Sequence, residues 1–244
     1  MRNRRKIVAI DLWNTILTSR WKSLVLPNSR EPIWDVQAAL GHKVLKQGEQ
    51  LTVEPCEDFR RFCLTERIPD TKAFLEAAGR AFNCKPTPES LRVFESILRA
   101  EAGNIARFED VNWTLREIIA RGYIPVVISN IWIFVIARIF EMNGLGEFFP
   151  PEQRILSCEV GYRKPDPRIY LEMFRRFKVT PDQCYMFGDD PEYDAIASHK
   201  LGVKAGLIDR TGEHALAHLP EGIEYLHSFH EIINVLDKEE RQAA

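Results

Sequence analysis

The chain has 244 residues and a mass of 28.2 kDa, with 45% hydrophobic and 28% charged side chains. This composition is typical of globular proteins and excludes disordered, collagen-like and coiled-coil chains. The 33 basic and 35 acidic residues give a net charge of -2, which indicates neither a nucleic-acid partner nor a membrane partner. The length allows one large domain, or a core domain with a smaller second one.

Five cysteines, without a C-x-x-C pair, predict a reducing, cytoplasmic location rather than a disulfide framework. Cys158 and Cys184 lie in apolar, strand-like runs, so we interpret them as buried hydrophobic residues. The basic residues at positions 2–6 resemble the start of a signal peptide, but the apolar run after them ends at Asp11. We therefore predict no targeting segment.

The strand Lys6–Trp13 opens the predicted structure, because it is apolar, rich in β-branched residues and carries a carboxylate near its end. Three helices follow, over Cys56–Glu66, Asp70–Phe82 and Pro88–Ala102. Strand character is lost throughout this part of the chain, which predicts a helical insert.

Strands and helices then alternate. We predict helices over Glu109–Arg121, Ile131–Met142, Asp166–Phe177, Glu192–Leu201 and Phe229–Leu236, and strands over Tyr123–Ser129, Ile155–Cys158, Cys184–Gly188 and Lys204–Ile208. This order predicts an α/β fold with a doubly wound, Rossmann-like parallel sheet. Residues 1–18 and 107–244 would form the core and residues 19–106 the inserted helical domain, with a frayed tail at 237–244.

The apolar run from Tyr123 to Phe140 is long enough to be mistaken for a membrane span. We interpret it as a buried strand followed by a helix, which Asn130 caps and which stops at Asn143-Gly144.

Candidate functional residues lie where the predicted strands end, because ligands of doubly wound sheets bind at that edge. Asp11 and Thr15 follow the first strand, and Ser129 and Asn130 end another. Lys164 precedes Asp166-Pro167, which we predict to start a helix. Asp189, Asp190 and Asp194 follow the strand Cys184–Gly188. Each group by itself has a structural explanation, as a turn, a helix cap or a surface loop.

In this order, the four groups resemble the motifs of the haloacid dehalogenase-like hydrolase superfamily. The resemblance covers Lys6–Thr15 and about residues 107–208, and it is most specific in GLGEFFPPEQRILSCEVGYRKPDP and GDDPEYD. It implies that the insert between the first two motifs is a cap domain, although the insert itself matches nothing specific.

The resemblance implies a role for each of these residues. Asp11 would be the nucleophile of an aspartyl intermediate. Thr15 and Ser129 would hydrogen-bond the carboxylate and the transferring group, and Lys164 would neutralise charge. Substrate contacts would come from Ser129, Asn130 and Lys164. A Mg²⁺ ion would be held by Asp11, Asp189, Asp194 and the backbone carbonyl of Trp13, with Asp190 as a ligand or an orienting residue.

Trp13 departs from this pattern, since the family's ordinary phosphatases have there a second aspartate that protonates the leaving group. An indole cannot act as this acid. The leaving group would then need no proton, or the insert would supply an acid such as His42, Glu49 or Glu54. Two other branches of the superfamily also lack this aspartate. They are the metal-independent 2-haloacid dehalogenases and phosphonoacetaldehyde hydrolase, which needs a cap lysine, for which Lys43 and Lys46 are available.

The acidic fourth motif favours a Mg²⁺-dependent phosphohydrolase that acts on a small phosphorylated metabolite as a monomer or a homodimer. The alternative within the superfamily is a dehalogenase. An alternative of another class is a non-catalytic member that binds a partner. Trp21 and Trp34 of the insert are more typical of a domain core than of a substrate pocket.

Overall fold

The computed structural model describes residues 5–19, 57–81, 83, 85–214 and 218–243. Its strands are β1 (Lys6–Ile10), β2 (Leu17–Ser19), β3 (Ile105–Arg107), β4 (Tyr123–Ser129), β5 (Arg154–Leu156), β6 (Cys184–Gly188), β7 (Lys204–Ile208) and β8 (Glu224–Leu226). Its helices are α1 (Glu57–Thr65), α2 (Thr71–Ala81), α3 (Pro88–Asn104), α4 (Val111–Ala120), α5 (Ile136–Met142), α6 (Ser157–Val160), α7 (Pro167–Phe177), α8 (Ala197–His199, after a π-helical turn at Pro191–Ile196) and α9 (Ile232–Ala243).

Six strands form one parallel sheet in the order β5-β4-β1-β6-β7-β8. β1 pairs with β4 on one side and β6 on the other, so the strand order reverses around it. Both faces of β1 are covered: Val8 and Ile10 join one apolar cluster with α4 and α9, while Ile7 and Ala9 join another with α7. This burial explains why the central strands are apolar runs without alternation. The predicted fold class is confirmed.

The chain leaves and re-enters the region of β1 through a short antiparallel ladder. β2 and β3 pair from Leu17 with Arg107 to Ser19 with Ile105. Helices α2 and α3 contribute Phe74 and Phe94, whose rings stack at 5.0 Å, to an apolar cluster that includes Trp132. Trp132 lies three residues after β4, and its ring centroid is 4.6 Å from that of Phe74. The helices before β3 are therefore packed on the segment that follows β4.

Several predicted elements need correction. The strand predicted to include Cys158 ends at Leu156, and Cys158 lies in the short helix α6. The helix predicted from Ile131 starts at Ile136, after a 3-10 turn at Ile133–Val135. β8 and the β2–β3 ladder were not predicted, because three-residue strands carry too little periodicity to be recognised.

The predicted frayed tail is also wrong, because α9 continues to Ala243. Its buried Ile232 and Leu236 anchor it in the core, and Asp237 accepts a hydrogen bond from Arg121 at 3.1 Å. None of the helices among the described residues combines the length and hydrophobicity that a transmembrane span requires.

Candidate active site

The candidate site lies at the carboxyl ends of β1, β4 and β6, where the strand order reverses. Asp11 directly follows β1, and its backbone N–H donates to Phe187 O of β6 at 2.9 Å. Its side chain is nearly inaccessible, with a relative exposure of 5% for the residue. Ser129 ends β4 and is fully buried. Because parallel strands end at the same edge, residues distant in sequence meet here.

Lys164 makes the closest polar contacts of the site. Its ammonium Nζ lies 2.5 Å from Asp11 Oδ1 and 2.5 Å from Asp194 Oδ1, and the residue is 4% exposed. Burial alone would lower the pKa of Lys164, but the two carboxylates outweigh it and raise the pKa above its usual value. Lys164 therefore remains a cation and neutralises one of the negative charges around it.

Asp11, Asp189 and Asp194 each place a carboxylate oxygen within 4.8 Å of the other two. Burial, followed by the charge of Asp11 and Asp194, raises the pKa of Asp189 well above its ordinary value. Burial, opposed by Lys164 and reinforced by Asp11, raises the pKa of Asp194 to about 7. Three carboxylates face one ammonium, so the ionised cluster carries an excess of two negative charges. Oxygen ligands with this charge fit a hard divalent cation.

Asn14 stabilises this cluster in a way that sequence reasoning missed. Its side-chain amide donates to Asp189 Oδ2 at 3.0 Å. Its φ of 54° lies in the left-handed region, which Asn tolerates better than most residues other than Gly. The available signal was the residue type: Asn and Gly adopt this backbone conformation most readily, but only Asn adds a hydrogen-bond donor.

Asn130 does not cap the following helix as predicted. Its Oδ1 accepts from the backbone N–H of Lys164 at 2.7 Å, and its Nδ2 donates to the Lys164 carbonyl at 3.0 Å. The adjacent Ile131 N–H donates to Ser157 Oγ at 2.9 Å. Asn130 thus holds the backbone of Lys164 against the end of β4.

The loop from β6 to α8 positions Asp194. Asp190 Oδ1 accepts from the N–H groups of Glu192 and Tyr193, at 2.9 and 2.8 Å, and caps the π-helical turn. Asp190 N–H donates to Asp194 Oδ2 at 3.2 Å. Asp194 packs directly on Gly188, since a Cβ at that glycine would lie 2.2 Å from Asp194 Cγ. Asp190 therefore stabilises the backbone of this loop, and it is not one of the three clustered carboxylates.

Three buried polar atoms of residues at or just after the ends of β1 and β4 lack a hydrogen-bond partner in the part of the chain that the structure describes. They are Thr15 Oγ1, Ser129 Oγ and Trp13 Nε1. Buried polar groups rarely stay unpaired, because the unmet desolvation costs about 1–3 kcal/mol each. Thr15 and Ser129 are fully buried, and each hydroxyl is left without the partner that burial normally requires.

Arg210, two residues after β7, is a second residue that sequence reasoning missed. Its guanidinium donates to both carboxylate oxygens of Asp110, at 3.0 and 2.9 Å, and to the backbone carbonyl of Thr15 at 3.0 Å. It also stacks on Phe108 at 3.9 Å. Arg210 thus links the turn that carries Thr15 to the start of α4.

The remaining residues singled out in the sequence are a helix cap, two cysteines and several residues of the insert. Asp166 caps α7, as predicted, by accepting from Arg168 N–H at 2.9 Å. Cys158 and Cys184 are buried, as expected, and burial raises the pKa of each thiol to about 12, which does not favour a nucleophile. Residues that lie outside the described ranges are Trp21, Trp34, His42, Lys43, Lys46, Glu49 and Glu54.

A family model described as haloacid dehalogenase-like hydrolase matches residues 5–202. This chain belongs to that family of hydrolases. The predicted family membership is therefore confirmed over most of the chain, including Asp11, Lys164, Asp189 and Asp194.

Two curated relatives share part of the sequence. The chain is 39% identical over 56 residues to phosphoserine phosphatase of Thermus thermophilus. This aligned segment covers 23% of this chain and 22% of that protein. The chain is 31% identical over 103 residues to glyceraldehyde 3-phosphate phosphatase of Methanothermobacter thermautotrophicus. That aligned segment covers 42% of this chain and 44% of that protein. Each match spans less than half the length of the relative.

Solved structures resemble the chain over nearly its whole length. A HAD phosphatase from Thermococcus onnurineus has a TM-score of 0.62 at 20% identity, covering 95% of this chain and 97% of the other. A 2-haloacid dehalogenase from Pseudomonas syringae pv. Tomato has a TM-score of 0.62 at 24% identity, covering 96% and 99%. At these identities the likeness establishes the fold.

Proposed function

We propose that this hydrolase is a Mg²⁺-dependent phosphohydrolase that acts on a small phosphorylated metabolite through an aspartyl-phosphate intermediate. The observation that carries the proposal is the cluster of Asp11, Asp189 and Asp194, with only Lys164 as a counter-charge among the described residues that contact it. A nucleophilic carboxylate in this cluster would repel an anionic substrate unless a divalent cation were bound. The phosphatase names of the two curated relatives support the same conclusion.

Each residue has a defined task in this reaction. Asp11 attacks phosphorus, and Lys164 offsets the negative charge that the approaching phosphoryl group adds. The unpaired hydroxyls of Thr15 and Ser129 donate to phosphoryl oxygens. Asn130 holds the backbone of Lys164 and so positions its ammonium, which replaces the direct substrate contact expected from the sequence.

The metal would be held by Asp11, Asp189, Asp194 and the backbone carbonyl of Trp13. When bound, Mg²⁺ supplies positive charge that lets the carboxylate and the phosphate approach each other. Asn14 keeps Asp189 oriented, and Asp190 keeps the turn around Asp194 in place. We assign Asp190 an orienting role because its Oδ1 already accepts two backbone hydrogen bonds.

We further propose that residues 1–18 and 107–244 form the catalytic core and residues 19–106 a cap that contributes to substrate choice. The β2–β3 ladder at the junction and the contact of Trp132 with the helices around Phe74 support this division. A cytoplasmic location is also part of the proposal, and the buried thiols of Cys158 and Cys184, which form no disulfide, support a reducing compartment.

The test is phosphate release from acetyl phosphate and p-nitrophenyl phosphate, with and without Mg²⁺. We expect Mg²⁺-dependent turnover that Asp11→Asn abolishes. The control Asp237→Asn should retain it, since Asp237 lies on α9 and pairs with Arg121 just after α4. Metal-independent chloride release from 2-chloropropionate would instead identify a dehalogenase. If a broad panel of phosphates gives no turnover, the chain is a non-catalytic member of the family.

A further inference from the structure

Trp13 lies two residues after the proposed nucleophile, and its indole N–H is an unused donor. The side chain is partly buried, Nε1 is inaccessible to solvent, and no acceptor for it lies among the described residues. The backbone of Trp13 is fixed by a bridge to Leu17 within the turn after β1. A buried donor without an acceptor points to a partner that the ligand supplies.

The indole can donate this hydrogen bond but cannot release the proton. Among the described side chains that meet Asp11, none replaces it as an acid. Lys164 shares its protons between two carboxylates at 2.5 Å, and Asp189 and Asp194 are the proposed cation ligands. None of the described side chains that meet Asp11 is therefore placed to protonate a leaving group, and a leaving group that departs as an anion fits these residues best.

Resting on the proposed function, we infer that the substrates are acyl phosphates, the mixed anhydrides of a carboxylic acid and phosphoric acid. Asp11 Oδ forms a bond to phosphorus while the bond from phosphorus to the acyl oxygen breaks, and the electron pair leaves with a carboxylate that needs no proton. Trp13 N–H donates to that carboxylate. Water then attacks phosphorus, the bond from phosphorus to Asp11 breaks, and the proton of the water passes to the released phosphate.

This inference predicts a steep dependence on the leaving group. A positioned general acid contributes about 10²–10⁴-fold, mainly for poor leaving groups. The wild-type enzyme with Mg²⁺ should therefore hydrolyse acetyl phosphate at least about 100-fold faster than ethyl phosphate or glycerol phosphate, with phenyl phosphate between them.

Two variants test whether residue 13 sets this preference. Trp13→Asp introduces a carboxyl group and should raise hydrolysis of ethyl phosphate relative to acetyl phosphate by about 100-fold or more. Trp13→Phe keeps an aromatic ring without the N–H, so it should lower kcat/KM for acetyl phosphate while leaving ethyl phosphate slow. An unchanged ratio of the two substrates in Trp13→Asp would overturn the assignment of residue 13.

The outcomes separate this inference from the proposed function. Similar rates for acetyl and ethyl phosphate, both abolished by Asp11→Asn, would overturn this inference. The proposed phosphohydrolase function would stand, and the acid would then come from residues 20–56. If neither substrate is hydrolysed in an Asp11-dependent way, the proposed function fails, and this inference fails with it.

Discussion

The carboxamide of Asn130 makes two hydrogen bonds with the backbone of Lys164, at 2.7 and 3.0 Å. All four polar atoms are buried, because Lys164 is 4% and Asn130 9% exposed. This contact joins the end of β4 to the loop before α7. It fixes the backbone from which the Lys164 ammonium reaches Asp11 and Asp194.

Asn130→Ala removes both hydrogen bonds and leaves a buried N–H and a buried carbonyl unpaired. We expect the free energy of unfolding to fall by about 2 kcal/mol and the proposed phosphatase activity by about 10²-fold, because a small misplacement of a catalytic group is costly. Chemical denaturation and steady-state kinetics measure the two effects. The exposed Asn234 of α9 offers a control, since Asn234→Ala should change neither. Full activity in Asn130→Ala would contradict the positioning role.

The raised pKa of Asp194, about 7, predicts how pH changes the stability of the metal-free protein. A carboxyl group with a raised pKa contributes most below its unfolded value of about 3.9, and the contribution is lost as the pH rises through about 7. Mg²⁺ binding displaces this proton, so stabilisation by Mg²⁺ should be larger at about pH 8 than at about pH 5.5.

Thermal unfolding in EDTA and in Mg²⁺ at the two pH values tests this expectation. Asp194→Asn should reduce the pH dependence, to which Asp189 also contributes, and weaken Mg²⁺ stabilisation. An equal Mg²⁺ effect at both pH values, or a larger one at the lower pH, would argue against Asp194 as a ligand.

Gly188→Ala should damage the cluster without changing a charge. A Cβ at this position would lie 2.2 Å from Asp194 Cγ, and β6 is held on both sides by β1 and β7. Asp194 would have to move, so we expect Mg²⁺ affinity to fall about 10–100-fold, as when the support of a metal ligand is lost. Isothermal titration calorimetry with Mg²⁺ measures this change.

Gly103→Ala is the matched control, because no heavy atom lies within 4 Å of the added Cβ. Gly103 lies in α3, where Ala is favoured over Gly by about 1 kcal/mol. The control should therefore be neutral or stabilising, with unchanged Mg²⁺ affinity. Wild-type affinity in Gly188→Ala would show that Asp194 does not depend on this close contact.

Arg210→Lys tests the link between β7 and the turn that carries Thr15. A lysine cannot donate to both oxygens of Asp110 and to the Thr15 carbonyl with the planar geometry of a guanidinium. We expect kcat to fall by about tenfold or more with a smaller change in KM, because the turn positions reacting groups. The free energy of unfolding should fall by about 1–3 kcal/mol.

The control for this substitution is Arg175→Lys, because the Arg175 side chain is 73% exposed and pairs with Glu172 on the surface of α7. It should change stability by less than about 0.5 kcal/mol. If Arg210→Lys lowers stability but leaves kcat unchanged, Arg210 has a structural role alone.

Most of the parallel sheet could be predicted because its strands are buried on both faces. β4, β6 and β7 have the predicted bounds, since each is a continuous apolar run that ends at a polar residue or turn. The chain order of strands and helices predicted a doubly wound parallel sheet, and therefore that residues after its strands, such as Asp11 and Asp189, lie at one edge. For these residues, the sequence by itself determined the place of the site.

The supporting contacts depended on the tertiary structure. Asn130 has the residue type of a helix cap, and only the approach of the Lys164 loop gives its amide two other partners. Arg210 and Asn14 act on Thr15 and Asp189 through contacts between segments far apart in the chain, and local periodicity carries no information about such pairs. The sequence thus determined which chemical groups are present and at which edge of the sheet they lie, whereas packing decided which partners orient them.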